Sequence, residues 1–239
     1  MINYILNKYG YECIRKKKNP SFKSHLFNLL NQYPIDLVID AGANHGQFGS
    51  LLRSIGYQGE ILSFEPTQKS FEILSKVSSC DKNWKIYSLG LGDKKTSKSI
   101  NVFESSDFNS LLKPSNIGKI AFKSKLKKIH TESIHIETLN GILKTYPLKG
   151  KRIFLKMDTQ GYDLNVFKGA NHYYSNISCL LTEISLQSIY MNMPDYHETI
   201  SFYESKGFSV SGLYPVSRQR DGSVIEMDCF MINTKLKQR

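Results

Sequence analysis

The chain lacks most features that settle a protein's class at a glance. Its four cysteines, Cys13, Cys80, Cys179 and Cys229, are scattered with no CxxC pair, which excludes a zinc ribbon or disulfide framework and reads as isolated thiols in a reducing compartment. The six histidines form no HxxxH pair of the kind that binds zinc. No apolar run reaches the roughly 18 residues of a membrane span. The opening "MINYILNKYGYECIRKKKNP" places its basic cluster after a short apolar part, the reverse of a secretory signal, so a cytoplasmic location is expected. Acidic residues are scarce, 21 against 32 Lys and Arg, which leaves a net charge of +11. Basic residues concentrate at Arg15–Lys18 and in "KIAFKSKLKK" (Lys119–Lys128). No zinc-finger or RNP signature accompanies them, so no specific nucleic-acid partner is expected. Solvated basic faces are the first reading, and contact with an anionic membrane surface is the second.

What is present is an alternation of short apolar runs and helical stretches. Residues 1–34 read as a basic helical extension, with apolar Leu26, Phe27, Leu29 and Leu30 and a stop at Pro34. Strands are expected at 35–40, 60–64, 85–90, 99–103, 133–137, 152–157, 179–184, 208–214 and 225–233. Helices are expected at 46–55, 68–77, 139–145, 162–168 and 196–206. This order predicts one α/β domain over 35–239, a mainly parallel sheet with helices on both faces. The last two strands meet across Asp221-Gly222, a hairpin signal. The stretch 104–132 fits the alternation poorly and reads as a long functional loop.

The segment "DLVIDAGANHGQF" is a buried strand that turns through Gly42 and Gly46 into a helix. Both glycines permit a tight bend and close backbone approach to a ligand, and the helix start offers free N–H groups. Asp40 ends the strand. Nineteen residues after Gly46, Glu65 ends a second strand, where Rossmann-like folds place the acid that accepts from ribose hydroxyls. A third strand ends in Leu91, Gly92 and Asp93, suited to flank an adenine. A dinucleotide fingerprint would be GxGxxG; here the register is Asn44-x-Gly46-x-x-Gly49. The missing first glycine argues against a pyrophosphate and weakens the reading as a nicotinamide oxidoreductase without excluding it, so NAD and S-adenosylmethionine both stay open on these residues.

These residues resemble the FkbM family of S-adenosylmethionine-dependent methyltransferases over roughly 35–234. "VIDAGANHGQF" is similar to the family's first motif, "SFEP" to its ribose-binding acid and "SLGLGDK" to its adenine-side segment. "NSLL" (Asn109–Leu112) resembles its short loop motif, and "FLKMDTQGYDLNVFKGA" (Phe154–Ala170) its hallmark. "LLTEISLQSIY", "GF" at 207–208 and "EMDCFMI" complete a collinear set. The resemblance implies a class I methyltransferase fold, a seven-stranded sheet whose last strand is antiparallel, and O-methylation, often of sugar hydroxyls. It implies that Asp40, Gly42, Ala43, Asn44, Gly46, Glu65, Pro66, Leu91, Gly92, Asn109 and Ser110 serve the cofactor. One departure stands out: Gln160 occupies a position where the hallmark often carries Glu.

Methyl transfer to an alcohol needs a base or a metal to remove the hydroxyl proton. Asp158, after "RIFLKM", and Glu183, in "LLTEIS", fall at adjacent strand ends. They are the expected base and its partner, or ligands of a divalent cation. Asp158 is also a candidate N-cap for the following helix. Lys156 alternates with Asp158 and is expected to orient it or an anionic acceptor. Asn109 and Ser110 would bond cofactor or acceptor as the long loop closes. His45, in the glycine turn, reads either as a contact to the methionine end of the cofactor or as the helix start; His197 reads first as a solvated helix start and second as a neighbour of an acceptor cleft. A nucleic-acid-modifying protein that uses the basic surface is the alternative from another class.

Overall fold

The computed structural model describes residues 6, 8–11 and 19–236, so the basic run Arg15–Lys18 lies outside the described residues. Helix α1 (Phe22–Gln32) begins at Ser21, whose hydroxyl accepts from Ser24 N at 3.3 Å. The expected alternation then appears as β1 (Leu37–Ala41), α2 (Gln47–Ser54), β2 (Glu60–Phe64), α3 (Gln68–Ser78) and β3 (Trp84–Tyr87). Short β4 (Gly90–Leu91) and β5 (Thr96–Phe103) follow, then α4 (Asn116–Phe122), β6 (Lys128–Glu137), α5 (Leu139–Lys144), β7 (Ile153–Met157) and α6 (Asp163–Lys168). The chain closes with β8 (Ile177–Ser185), α7 (Tyr196–Ser205), β9 (Phe208–Arg218) and β10 (Val224–Asn233).

The main sheet has seven strands in the order β3-β2-β1-β7-β8-β10-β9. The first five are parallel, and β10, last in the chain, runs antiparallel to both its neighbours. This is the seven-stranded arrangement that the family resemblance implied. Strand β1 is buried along its whole length, as expected of a central parallel strand covered on both faces. Leu37, Ile39 and Ala41 join one core with Leu139, Leu143, Leu164, Phe167 and Tyr203 of α5–α7. Val38 points the other way and joins Leu26, Leu29, Leu30, Phe48, Leu52 and Leu74 of α1–α3.

Three expectations change. The segment 22–34 belongs to the domain core rather than to an extension: Leu26 is fully buried, and His25 meets Tyr214 Oη at 3.0 Å and Ser211 Oγ at 2.9 Å on β9. The strand expected at 99–103 is not in the main sheet. It is β5, which pairs antiparallel with β6 in a separate three-stranded sheet, β4-β6-β5. The stretch 104–132 is not one loop, because it holds 3₁₀ turns at Ser106–Phe108 and Lys123–Leu126, helix α4 and the start of β6. Its apolar residues, Phe108, Phe122 and Leu126, pack with Phe103, Ile189 and Tyr190. They are too scattered along the chain to show a period, so the sequence hid the element.

If α1 is integral, Leu26→Ala should cost about 2–5 kcal/mol in urea unfolding, the range for a large-to-small change in a core. Its neighbour Phe27→Ala, 47% exposed, should stay within about 0.5 kcal/mol.

Candidate active site

The parallel strands end on one edge, and a cavity of about 400 Å³ opens there between the main sheet, the small sheet and the segment 106–125. Such a volume suits a small molecule. One end is lined by Phe64, Glu65, Pro66, Leu91, Ile100, Ile134 and Ile136, an apolar slot with one carboxylate. The other is lined by Asp158, Gln160, Glu183, Ser217 and Glu226.

The glycine turn is held from below. Asp40 and Lys156 are register partners on β1 and β7, so they share a face, and Lys156 Nζ reaches Asp40 Oδ1 at 3.0 Å. The same ammonium donates to the Gly42 carbonyl at 2.8 Å and lies 3.6 Å from Asp158 Oδ2. Burial opposes its charge, but Asp40 and Asp158 outweigh that and hold Lys156 above the ordinary lysine range. Gly42 has φ 76°, and a Cβ there would lie 2.0 Å from the Asp158 carbonyl oxygen. The glycine is thus required by the crossing of its turn with the Asp158 turn, rather than by clearance for a ligand. Gly49 has a packing reason too, because a Cβ would run into the Trp84 ring at 2.1 Å.

Glu65 is buried at the end of β2. Its Oε1 accepts from Thr67 N at 2.9 Å, and its Oε2 accepts from Asn44 N at 2.9 Å. Burial raises its pKa against these bonds. Oε1 also accepts from Thr67 Oγ1 at 2.5 Å, so Oε2 is the oxygen that keeps a lone pair, and since the residue lines the cavity it can still accept from a ligand hydroxyl. Asn44 Nδ2 donates to Asp107 Oδ1 at 2.7 Å, while its buried Oδ1 has no hydrogen-bond partner among the described residues. An open acceptor in the wall of an apolar slot that also carries Glu65 fits a nucleoside-like cofactor with donors to offer.

At the other end, Gln160 ties the carboxylates together. It adopts φ 53°, a left-handed conformation costing about 1 kcal/mol or more for a non-glycine residue. Its Nε2 donates to Asp158 Oδ1 at 3.0 Å and to Glu183 Oε2 at 3.1 Å. Its Oε1 lies 2.9 Å from Tyr190 Oη, whose one proton is shared between it and the Phe108 carbonyl at 2.8 Å. The departure from the usual Glu therefore has a physical function, since the amide supplies donors to both carboxylates where a third carboxylate would repel them. Burial, then the charges of Glu226, Asp158, Asp163 and Asp228, push Glu183 well above the usual carboxyl range. Glu226, which accepts from Ser217 Oγ at 2.8 Å, is raised by burial to about 7. Asp228, the register partner of Glu183, is raised to about 7 by burial and then by Asp158.

Of the residues singled out in the sequence, Gly42, Asn44, Glu65, Pro66, Leu91, Asn109, Asp158 and Glu183 line the cavity. Asp40, Ala43, Gly46, Gly92, Ser110 and Lys156 stand behind it. Ser110 Oγ donates to the Gln160 carbonyl at 2.7 Å and accepts from Leu112 N at 3.0 Å; Asn109 Oδ1 accepts from Phe103 N at 2.9 Å. Both therefore pin the loop. The side chain of Asp158 does not cap α6. The residue at that helix start is Tyr162, which makes no side-chain cap. Asp163 does the tying instead, accepting from Thr159 N at 2.7 Å and from Thr182 Oγ1 at 2.9 Å. His197 is exposed on α7. No group of three or more His, Cys, Asp or Glu among the described residues is arranged to hold a metal ion.

Sequence reasoning missed Asp163, Glu226 and the isoleucine wall. The alternation Ser133-Ile-His-Ile-Glu137 carried a signal for Ile134 and Ile136 sharing a face. Glu226 carried none, because its place depends on β10 lying beside β8.

Residues 40–210 match the model of the methyltransferase FkbM domain. The chain is 26% identical over 189 residues to the methyltransferase sdnD of Sordaria araneosa, covering 70% of this chain and 72% of that one. Among solved structures, an rRNA methylase from Streptococcus thermophilus superposes with TM-score 0.47 at 10% identity, covering 93% of this chain and 99% of that one. Aeropyrum pernix fibrillarin, in complex with S-adenosyl-L-methionine, gives 0.47 at 11% identity, over 88% and 73% of the two chains.

Glu226 and Asp228 retain protons in the folded chain at pH values where the unfolded chain, with carboxyls near about 4, has lost them. Their contribution to stability is complete below about pH 4 and is lost as pH rises through about 7. Asp228→Asn should accordingly raise the melting temperature by a few degrees at pH 8, do little at pH 4, and flatten the decline between; parallel thermal melts would measure it.

Proposed function

The chain belongs to the FkbM family of S-adenosylmethionine-dependent methyltransferases, and on that premise we propose that it methylates a hydroxyl oxygen of a carbohydrate or glycosylated acceptor. The observation that carries this reading is the group of acceptors at one end of the cavity: Asp158, Glu183, Glu226, the Gln160 amide and the Ser217 hydroxyl. Sugar hydroxyls are donors, and several converging carboxylates match a polyol. An amine in the same place would be held as an ammonium, with no lone pair to attack. The phosphates of a nucleic acid would meet like charge, so the net charge of +11 does not extend to this end of the cleft.

Glu65 and the open Asn44 Oδ1 would hold the nucleoside and polar parts of S-adenosylmethionine in the Phe64–Leu91–Ile136 slot. When bound, that cofactor supplies an electrophilic methyl group on sulfur. Asp158 would accept the hydroxyl proton of the acceptor, a reading supported by the Gln160 amide, which donates to both Asp158 and Glu183 and so fixes their orientation. Burial and the neighbouring acids keep the proton on Glu183, so it would stand beside Asp158 as a neutral partner that adds no second negative charge to the base. Phe108, Phe122 and Leu111 line the cavity and would limit the water that reaches a bound acceptor. Lys156 acts as a positioning residue under Gly42 and Asp158.

Two variants separate the halves of the site. Glu65→Ala should weaken S-adenosylmethionine binding by about tenfold or more, read by calorimetry. Asp158→Ala should leave binding within a few-fold while turnover falls about 10²–10⁴-fold. For the acceptor, methyl-labelled S-adenosylmethionine should transfer label to a glycan or glycoside fraction as an alkali-stable ether. Label confined to nucleic acid, or lost on mild alkali as from a methyl ester, would overturn the carbohydrate reading.

A further inference from the structure

The segment over the cavity has an outer face that the proposed reaction leaves unused. Between Lys113 and Lys128 the chain carries six lysines, Lys113, Lys119, Lys123, Lys125, Lys127 and Lys128, and no acidic residue. All six are exposed, and none forms an ion pair with a described residue. Helix α4 sits among them with a defined orientation. Gly118 faces the body of the protein, where a Cβ would lie 2.3 Å from the Ile189 carbonyl oxygen. Phe122 packs on Phe108 at 4.7 Å between ring centroids. With about 100° between successive helical residues, Ile120 points away from Gly118, with Ile117 and Lys119 to either side of it and Lys123 just past the helix end. Ile120 is 70% exposed and Ile117 42%. Met191, 52% exposed, lies beside the start of the segment, where its N–H donates to the Lys113 carbonyl at 2.8 Å. The segment is anchored, with Ser115 Oγ donating to the Ser188 carbonyl at 2.7 Å.

We infer that this lysine-rimmed isoleucine face docks on an anionic lipid bilayer, Ile117 and Ile120 entering the interfacial layer while the lysines meet the headgroups. The charge chooses the occupant. A second copy of the chain in a two-fold contact would set six lysines against six. A nucleic acid would satisfy the lysines but give two outward isoleucines nothing to bury against. A bilayer with negative headgroups answers both features, as for helices that lie in the interface plane. Phe122 and Lys125 of the same segment line the cavity, so docking would bring the cavity to the membrane surface. The inference concerns binding alone and stands whether or not the acceptor is a carbohydrate.

Flotation of the full chain with vesicles tests it. The protein should float with vesicles of equal parts phosphatidylglycerol and phosphatidylcholine at low salt, and should not float with phosphatidylcholine alone. High salt should release it. Ile120→Ser should lower partitioning roughly tenfold at unchanged melting temperature. Lys119→Gln with Lys123→Gln should lower it about fivefold per lysine and reduce the salt dependence. Absence of flotation with the anionic vesicles would overturn the proposal. So would flotation that Ile120→Ser leaves intact, or that a homopolymeric RNA abolishes while binding wild type and Ile120→Ser equally.

Discussion

A chain of hydrogen bonds crosses four strands beneath the glycine turn, and the site is built on it. Trp84 Nε1 on β3 donates to Ser63 Oγ on β2 at 2.9 Å, and Ser63 Oγ donates to Asp40 Oδ2 on β1 at 3.1 Å. The other oxygen of Asp40 meets Lys156 Nζ on β7, which donates in turn to the Gly42 carbonyl. The four side chains, Trp84, Ser63, Asp40 and Lys156, are buried, so each depends on the next for the partner that water would otherwise supply. Removing one end of such a buried ion pair leaves an uncompensated charge, typically at a cost of about 3–5 kcal/mol. The geometry of the turn, and hence of Asn44 and Glu65 above it, follows from this constraint.

The same ammonium also limits repulsion on the other side of the site. Asp158, Asp163, Glu183, Glu226 and Asp228 crowd one edge of the sheet, and Lys156 lies within 4 Å of the first of them. The rest are managed without countercharge, by hydrogen bonds from Gln160, Thr159, Thr182 and Ser217 and by retention of protons. This division separates an end where a single buried carboxyl, Glu65, is held by donors from Asn44 and Thr67 from an end where several carboxyls crowd and raise one another's proton affinity. Two carboxyl environments within one cavity are a physical route to binding at one end and proton transfer at the other.

The second sheet and the segment 104–126 close the cavity from above, and their placement gives the chain two opposed surfaces. The inner one is apolar, with Ile100, Ile134, Ile136, Phe108 and Phe122. The outer one is basic with exposed isoleucines. A net charge read from composition cannot distinguish these, because it averages an acidic cleft with a cationic exterior.

Much of the framework was legible in the sequence. Buried parallel strands are continuous apolar runs, and turns between them carry glycine, so β1, β2, β7 and β8 and the helices α2, α3, α6 and α7 stood near their observed bounds. Collinear motifs identified the family, and the strand-end acids Glu65, Asp158 and Glu183 do face the cavity. Tertiary structure decided the rest. It drew residues 22–34 into the core, moved β5 out of the main sheet, and turned Lys156 and Asp40 into supports behind the site. It made Gln160 a bridge between carboxylates and brought Glu226 to their side. The reason is physical: a strand's burial is written in its own residues, whereas the partner of a polar side chain is set by which strand lies next to it and in what register.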